Sequence, residues 1–423
     1  MKTLVLITSQ YPYGKGETFI DTEFPYLEQN FDRIIIISQN VSESLTRRIS
    51  HKVLVKRWDP ATGPEGIIFL PVLVIINLRI IITLVNEEVA FRKRTGHKTG
   101  LKKFLYLLRK IIKAIQLRQF IRRTLVEEKI EENIVFYSYW LKTGAHAISL
   151  LDYSASIKIA RAHGSDLYQE KTVKGYLPLL YSVGQRLDAI FFISHSGLKY
   201  LSDKTGKSED KYFVSYLGID NRFDAEKAKG NSPDIIVSCS NLIPLKRVHL
   251  IIEALHQLKP GKDLQWVHFG DGILREELEK IAAERLSDEK ITFNFMGHQP
   301  NEKILKFYAD NRVAVFVNTS STEGVPVSIM EAQSAGIPVI ATNTGGVPEI
   351  VSPGTGSLLP VDFLVPELTE KIRYYLNLDA SKKEEIRKNA ILNWRENFNS
   401  STNYMNFVGT INAIFASKIS QHN

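Results

Sequence analysis

Apolar residues in this chain fall into short runs separated by longer stretches in which they recur every three or four positions. The runs predict strands at residues 4–8, 33–38, 133–137, 157–162 and 189–194, with another opening the stretch 212–220. After a polar segment at 224–233 the pattern resumes, with strands at 234–238, 264–269, 291–296, 313–317 and 337–341. Helical periodicity lies between successive runs, including a helix from Leu245 and another at 301–308. Parallel strands cannot be joined by a tight hairpin, so strands alternating with helices imply parallel sheets. The expected class is α/β, with two Rossmann-like halves joined by the polar stretch.

The pattern is densest at 318–351, NTSSTEGVPVSIMEAQSAGIPVIATNTGGVPEIV. It reads as a polar loop after a strand, a helix over 326–335, a second strand and a Gly-Gly turn. Pro326 suits a first helical turn, where its missing N–H has no partner to lose. The free amides around Gly324 to Val327, with a helix dipole behind them, suit a diphosphate. Glu323 and Glu331 flank that position.

Composition adds limits. With 423 residues, 44% hydrophobic and 24% charged, the chain can build two full cores. Cys239 is alone and cannot form an internal disulfide, which fits a reducing compartment. The start, MKTLVLITSQ, is too short an apolar run for a signal peptide, so a cytoplasmic location is expected.

The net charge of +8 is concentrated. Residues 91–125 carry twelve Lys and Arg and no acid, interleaved with Leu, Ile and Phe at helical spacing. Such a helix suits an anionic membrane surface, and no nucleic-acid recognition motif accompanies it. Just before it, 67–85 is nearly all apolar but broken by Pro71, Asn77 and Arg79, which favours a buried or interfacial helix over a spanning one. The segment at about 67–125 is therefore expected to face a membrane.

Several loops at predicted strand ends carry candidate chemistry. The first holds Gly14, Gly16 and Glu17 in YPYGKGETF, and is expected to be flexible and to open at the carboxyl edge of a sheet. Tyr139 and Trp140 in FYSYW could line an acceptor pocket, though aromatics there serve packing equally well. His163 ends a strand in RAHGSD. Lys246 and Arg247 follow the first strand of the second half, and Gly270 ends its second.

The core EGVPVSIME, followed by A-x-x-A/S-G-x-P-V-I-A-T and G-G-x-P-E-I, resembles the retaining GT-B glycosyltransferases of family 4 (glycosyl transferases group 1). Their signature is two glutamates separated by seven residues. The resemblance implies two Rossmann-like domains with parallel sheets facing across a cleft. An acceptor-binding domain at 1–223, a linker at 224–233 and a nucleotide-sugar-binding domain at 234–390 would be followed by a helix at 391–423 crossing back to the first domain.

By the same resemblance Glu323 would bind hydroxyls of the transferred sugar, and Glu331 the ribose. His163 would lie beside the sugar, and Lys246 would hold the diphosphate. Gly270, Gly324, Val325 and Pro326 would complete the donor site, with no cofactor beyond a UDP- or GDP-sugar substrate. The motifs look most like enzymes of capsular or exopolysaccharide synthesis acting on polyprenyl-diphosphate acceptors, peripheral on the inner face of the cytoplasmic membrane. No Asp-x-Asp triplet occurs, so no metal is expected. One departure stands out: most members carry an arginine where this chain has Asn241, and Arg247 is the nearest substitute. A non-catalytic assembly subunit that binds nucleotide-sugar, and a soluble or glycolipid-directed transferase, are the alternatives.

Overall fold

The computed structural model describes residues 1–14, 16–39, 44–59, 70–97, 100–153, 155–172, 175–206, 209–223, 234–261, 263–287 and 290–420. The expected linker at 224–233 lies outside them. The chain forms two compact units, Met1–Ser215 with Tyr404–Asn423, and Tyr216–Asn403.

The first unit holds a seven-stranded sheet of β1 (Thr3–Thr8), β2 (Arg33–Ser38), β3 (Val53–Arg57), β4 (Ile134–Ser138), β5 (Ser156–Ala162), β6 (Ala189–Phe192) and β7 (Tyr212–Val214). Its order is β3-β2-β1-β4-β5-β6-β7, and every pair is parallel. Apolar side chains cover both faces, as a parallel sheet requires. One cluster packs Val5, Phe136 and Ile190 with Leu117, Ile121 and Leu125 of the helix Leu101–Glu127. Another packs Leu4, Tyr137 and Phe191 with Phe407, Val408 and Ile411 of the last helix, Ser400–Ser420.

The second unit holds a six-stranded parallel sheet of β8 (Asp234–Cys239), β9 (Leu264–Phe269), β10 (Ile291–Phe295), β11 (Val313–Asn318), β12 (Val339–Thr342) and β13 (Gly356–Leu359). Its order is β10-β9-β8-β11-β12-β13.

Differences from expectation have local causes. The edge strands β3 and β13 are too short and mixed for their periodicity to stand out. The helix expected from Leu245 begins later, at His249–Leu258, because Pro244–Lys246 forms a 3₁₀ turn and Arg247 is left-handed at φ 50°. Pro326 caps the helix Val327–Ser334 in an extended conformation, just outside its first turn. Residues from Tyr216 onward belong to the second unit because Ile219 ties them to its end: Ile219 N donates to Phe398 O at 2.8 Å, and Ser400 N to Ile219 O at 3.2 Å.

Candidate functional sites in the two units

In the second sheet the strand order reverses between β8 and β11, the kind of switch point at which ligands bind in open parallel sheets. Those two loops carry Lys246 and Glu323. Lys246 Nζ donates to Glu323 Oε1 at 2.6 Å, and Asn318 Nδ2 approaches the same oxygen at 3.4 Å. The loops are laced together beneath this pair: Thr319 Oγ1 donates to Lys246 O at 2.9 Å, and Ser321 N to Leu245 O at 2.9 Å. Arg247 serves that lacing too. Its guanidinium donates to Thr319 O at 2.8 Å and Val361 O at 2.7 Å, and its charge centre sits 5.3 Å from the Phe363 ring. Asn241 is exposed at the start of the turn.

At two glycines the loops of this site approach one another too closely for a side chain. A Cβ at Gly270, where φ is +136°, would stand 1.9 Å from Ser240 O. One at Gly345, where φ is +58°, would stand 2.1 Å from Glu323 O. Gly346 N donates to Gly324 O at 2.6 Å, fixing the turn before Val325, Pro326 and the helix Val327–Ser334.

Glu331, on that helix, is buried at 5% exposure and accepts a hydrogen bond from Asn301 Nδ2. Burial pushes its carboxyl up to about 7, against the pull of Asn301. The buried Tyr308 hydroxyl, which has no hydrogen-bond partner, interacts electrostatically with it, as does Cys239. Sequence reasoning missed Asn301 and Tyr308, which lie far from the motif and meet it only through folding.

The first sheet has its own reversal, between β1 and β4. Here Glu17, buried and left-handed at φ 55°, accepts from the amides of Ser9 at 3.0 Å, Gln10 at 2.6 Å and Tyr11 at 2.6 Å, and from the Trp140 indole. Arg47 secures the other side, donating to the carbonyls of Tyr13 at 3.1 Å, Gly14, and Gly16 at 2.8 Å. The loop expected to be flexible is thus tied at both ends of its described part. Glu17 acts as its staple, and Arg47 had no signal in the sequence.

His163, at the end of β5, is 7% exposed and packed by Trp140 at 4.5 Å, Tyr139 at 5.1 Å and Phe19 at 5.8 Å between ring centres. Burial lowers its pKa, with Asp166 opposing. Asp166 Oδ2 is 3.8 Å from Nδ1, too far for a hydrogen bond, and neither ring nitrogen has a hydrogen-bond partner. A buried imidazole left in this state costs about 1–3 kcal/mol until something pairs with it. Tyr139 is fully buried, so it supports the histidine from within the core; Trp140 is the half-buried ring of the two.

Beneath lies a buried ion pair that sequence reasoning did not find. Arg161 Nη2 is 3.0 Å from Glu23 Oε2, and both side chains are fully buried. The Tyr137 hydroxyl donates to Glu23 at 2.8 Å and accepts from Arg161 Nε at 3.0 Å. Among the described residues, no group of three or more His, Cys, Asp or Glu is arranged to hold a metal ion.

Two parallel Rossmann-like sheets, each with a switch-point site, define the GT-B class. A solved structure of Anabaena Alr3699/HepE, in complex with UDP and glucose, matches 98% of this chain and 100% of its own at a TM-score of 0.63 and 16% identity. That likeness is one of fold. Residues 220–393 match the model of the glycosyl transferases group 1 family. Among curated proteins, WcaL of Escherichia coli K12, provisionally named a colanic acid biosynthesis glycosyltransferase, is 26% identical over 244 residues, 56% of this chain and 59% of that protein. The amylovoran biosynthesis glycosyltransferase AmsK of Erwinia amylovora is 26% identical over 153 residues, 34% of this chain and 37% of its own. The match thus spans less than two thirds of these relatives.

Proposed function

We propose that the protein is a retaining glycosyltransferase of family 4, moving a hexose-type sugar from a UDP- or GDP-sugar to an oligosaccharide carried on a polyprenyl diphosphate. The observation that carries this reading is the 2.6 Å Lys246–Glu323 pair at the switch point of the domain that matches the family. Relatives named for colanic acid and amylovoran biosynthesis support a role in cell-surface polysaccharide synthesis.

In this reading the carboxylate holds the lysine in the free protein. An arriving diphosphate competes for the ammonium and frees Glu323 to bind sugar hydroxyls. Charge developing on the leaving diphosphate is stabilised by Lys246 and by the amides ahead of the helix Val327–Ser334, without a metal. Arg247 gives Nε and Nη1 to carbonyls, whereas Lys246 sits against Glu323, so Lys246 is the cation that stands in for the charge Asn241 lacks. The bond from the anomeric carbon to phosphate breaks as the acceptor oxygen attacks the same face, and the acceptor proton passes to the departing phosphate oxygen. Glu331 binds the ribose. His163 is the imidazole assigned to the transferred sugar, and the enzyme works peripherally on the inner face of the cytoplasmic membrane.

The test is nucleotide release from a panel of UDP- and GDP-sugars with a membrane lipid extract, in excess chelator. Release with one donor, lost in Glu323→Ala, is the expected result. Donor binding without release from any lipid fraction would instead favour the assembly-subunit reading.

A further inference from the structure

Between β3 and β4 the described chain forms the helices Leu70–Ile76, Leu78–Arg94 and Leu101–Glu127. No single described helix is long and apolar enough to cross a membrane; the first two pass that test together but bend by 75° at Asn77. Their inner sides pack Ile81 and Leu84 against Leu107, Ile111, Ile115 and Leu179. The long basic helix therefore turns much of its apolar face into its own unit, and Leu117, Ile121 and Leu125 are buried in the core.

The exposed apolar surface lies elsewhere, at the bend. Val72 is 52% exposed, Ile75 71%, Ile76 73%, Leu78 50% and Ile82 50%. Leu101 and Leu105 are exposed as well, at 73% and 56%, near the start of the third helix.

The charges are sorted by side. The only acids between residues 70 and 126 are Glu87, which is half-buried, and Glu88, which is buried, and both are tied to the rest of the unit. Glu87 pairs with Arg186 at 2.6 Å and accepts from Ser182 at 2.7 Å. Glu88 accepts from the Tyr176 hydroxyl at 2.8 Å and Leu179 N at 2.9 Å. Arg79, Lys93, Lys102 and Arg109 remain on the exposed side.

We propose that the bend at 72–82, which carries the exposed Arg79, is the element that inserts into an anionic lipid surface. This placement rests on the peripheral-membrane reading and moves the point of attachment from the long basic helix to the elbow. The tethers at Glu87 and Glu88 fix the second helix to the unit, so it lies along the surface. Aliphatic side chains without hydrogen-bonding groups suit acyl chains, and Arg79, in a bend that contains no acid, suits anionic headgroups.

The experiment is flotation of the full chain with vesicles of phosphatidylcholine alone or mixed with phosphatidylglycerol. The expected result is binding to the mixed vesicles only, reduced at least about tenfold in the double variant Ile75→Ser, Ile76→Ser and less than about threefold in Arg122→Gln, Arg123→Gln. Unchanged thermal shifts with UDP and GDP show that the variants are folded. Equal binding by the elbow variant, or equal binding to neutral vesicles, overturns the proposal. So does the absence of vesicle binding, and if the elbow variant then turns a dimer into a monomer in sedimentation, the patch covers a second copy. Turnover of a detergent-dispersed acceptor is read separately: its loss in the unaltered chain refutes the transferase reading, while vesicle binding alone judges the elbow.

Discussion

Replacing Glu331 by Gln separates what the residue does for the fold from what it does for a ligand. Its carboxyl, ordinarily at 4.5, stands at about 7 because burial disfavours its charge. The folded protein therefore holds a proton that the unfolded chain releases over that interval. Stability from this group is fully present below pH 4.5 and is lost as pH rises through 7. Between about pH 5 and pH 8 the loss comes to about 2.5 kcal/mol. Gln keeps an acceptor for Asn301 and carries no titrating proton. Thermal unfolding over that range should therefore show the variant gaining on the parent as pH rises, by roughly 5–10 °C at about 2–4 °C per kcal/mol. UDP-sugar or GDP-sugar binding by the variant should fall behind the parent's as pH rises through 7, where Glu331 of the parent becomes the carboxylate that accepts from ribose. A gap in melting temperature that does not change with pH would refute the buried-carboxyl reasoning. Undiminished donor binding would refute the ribose role.

Three other outcomes are expected. Gly345→Ala should cost about 1–3 kcal/mol of stability and cut donor turnover by more than about tenfold, because its Cβ displaces the Glu323 carbonyl; urea melts and initial rates check both. Arg161→Met leaves Glu23 buried without its partner and should destabilise the first unit by about 3–5 kcal/mol, read by denaturant unfolding. Glu17→Ala strands three backbone amides and the Trp140 indole, so it should lower stability by at least about 2 kcal/mol and shift the tryptophan emission; an unchanged melt would show that the staple is dispensable.

Periodicity placed most strands within one or two residues, because a parallel strand buried on both faces is an unbroken apolar run. It missed β3 and β13, which sit at sheet edges where burial is partial and the run is short. Glu323, Glu331 and Lys246 were singled out by the resemblance of their motifs to a family, and the structure brings Lys246 within hydrogen-bonding distance of Glu323.

The α/β class, the two-part organisation, the glutamate pair and the concentration of positive charge are all written in the order of the residues, because each depends on local spacing or composition. What those groups touch is a matter of packing. Asn301 reaches Glu331, Arg47 and Glu17 tie down the first loop, and Arg161 pairs with Glu23, all across separations that no local pattern encodes. Packing also sets which side of the basic segment is free. Helical spacing marks an apolar face, but only the folded chain shows whether that face meets the protein's own core or is left exposed.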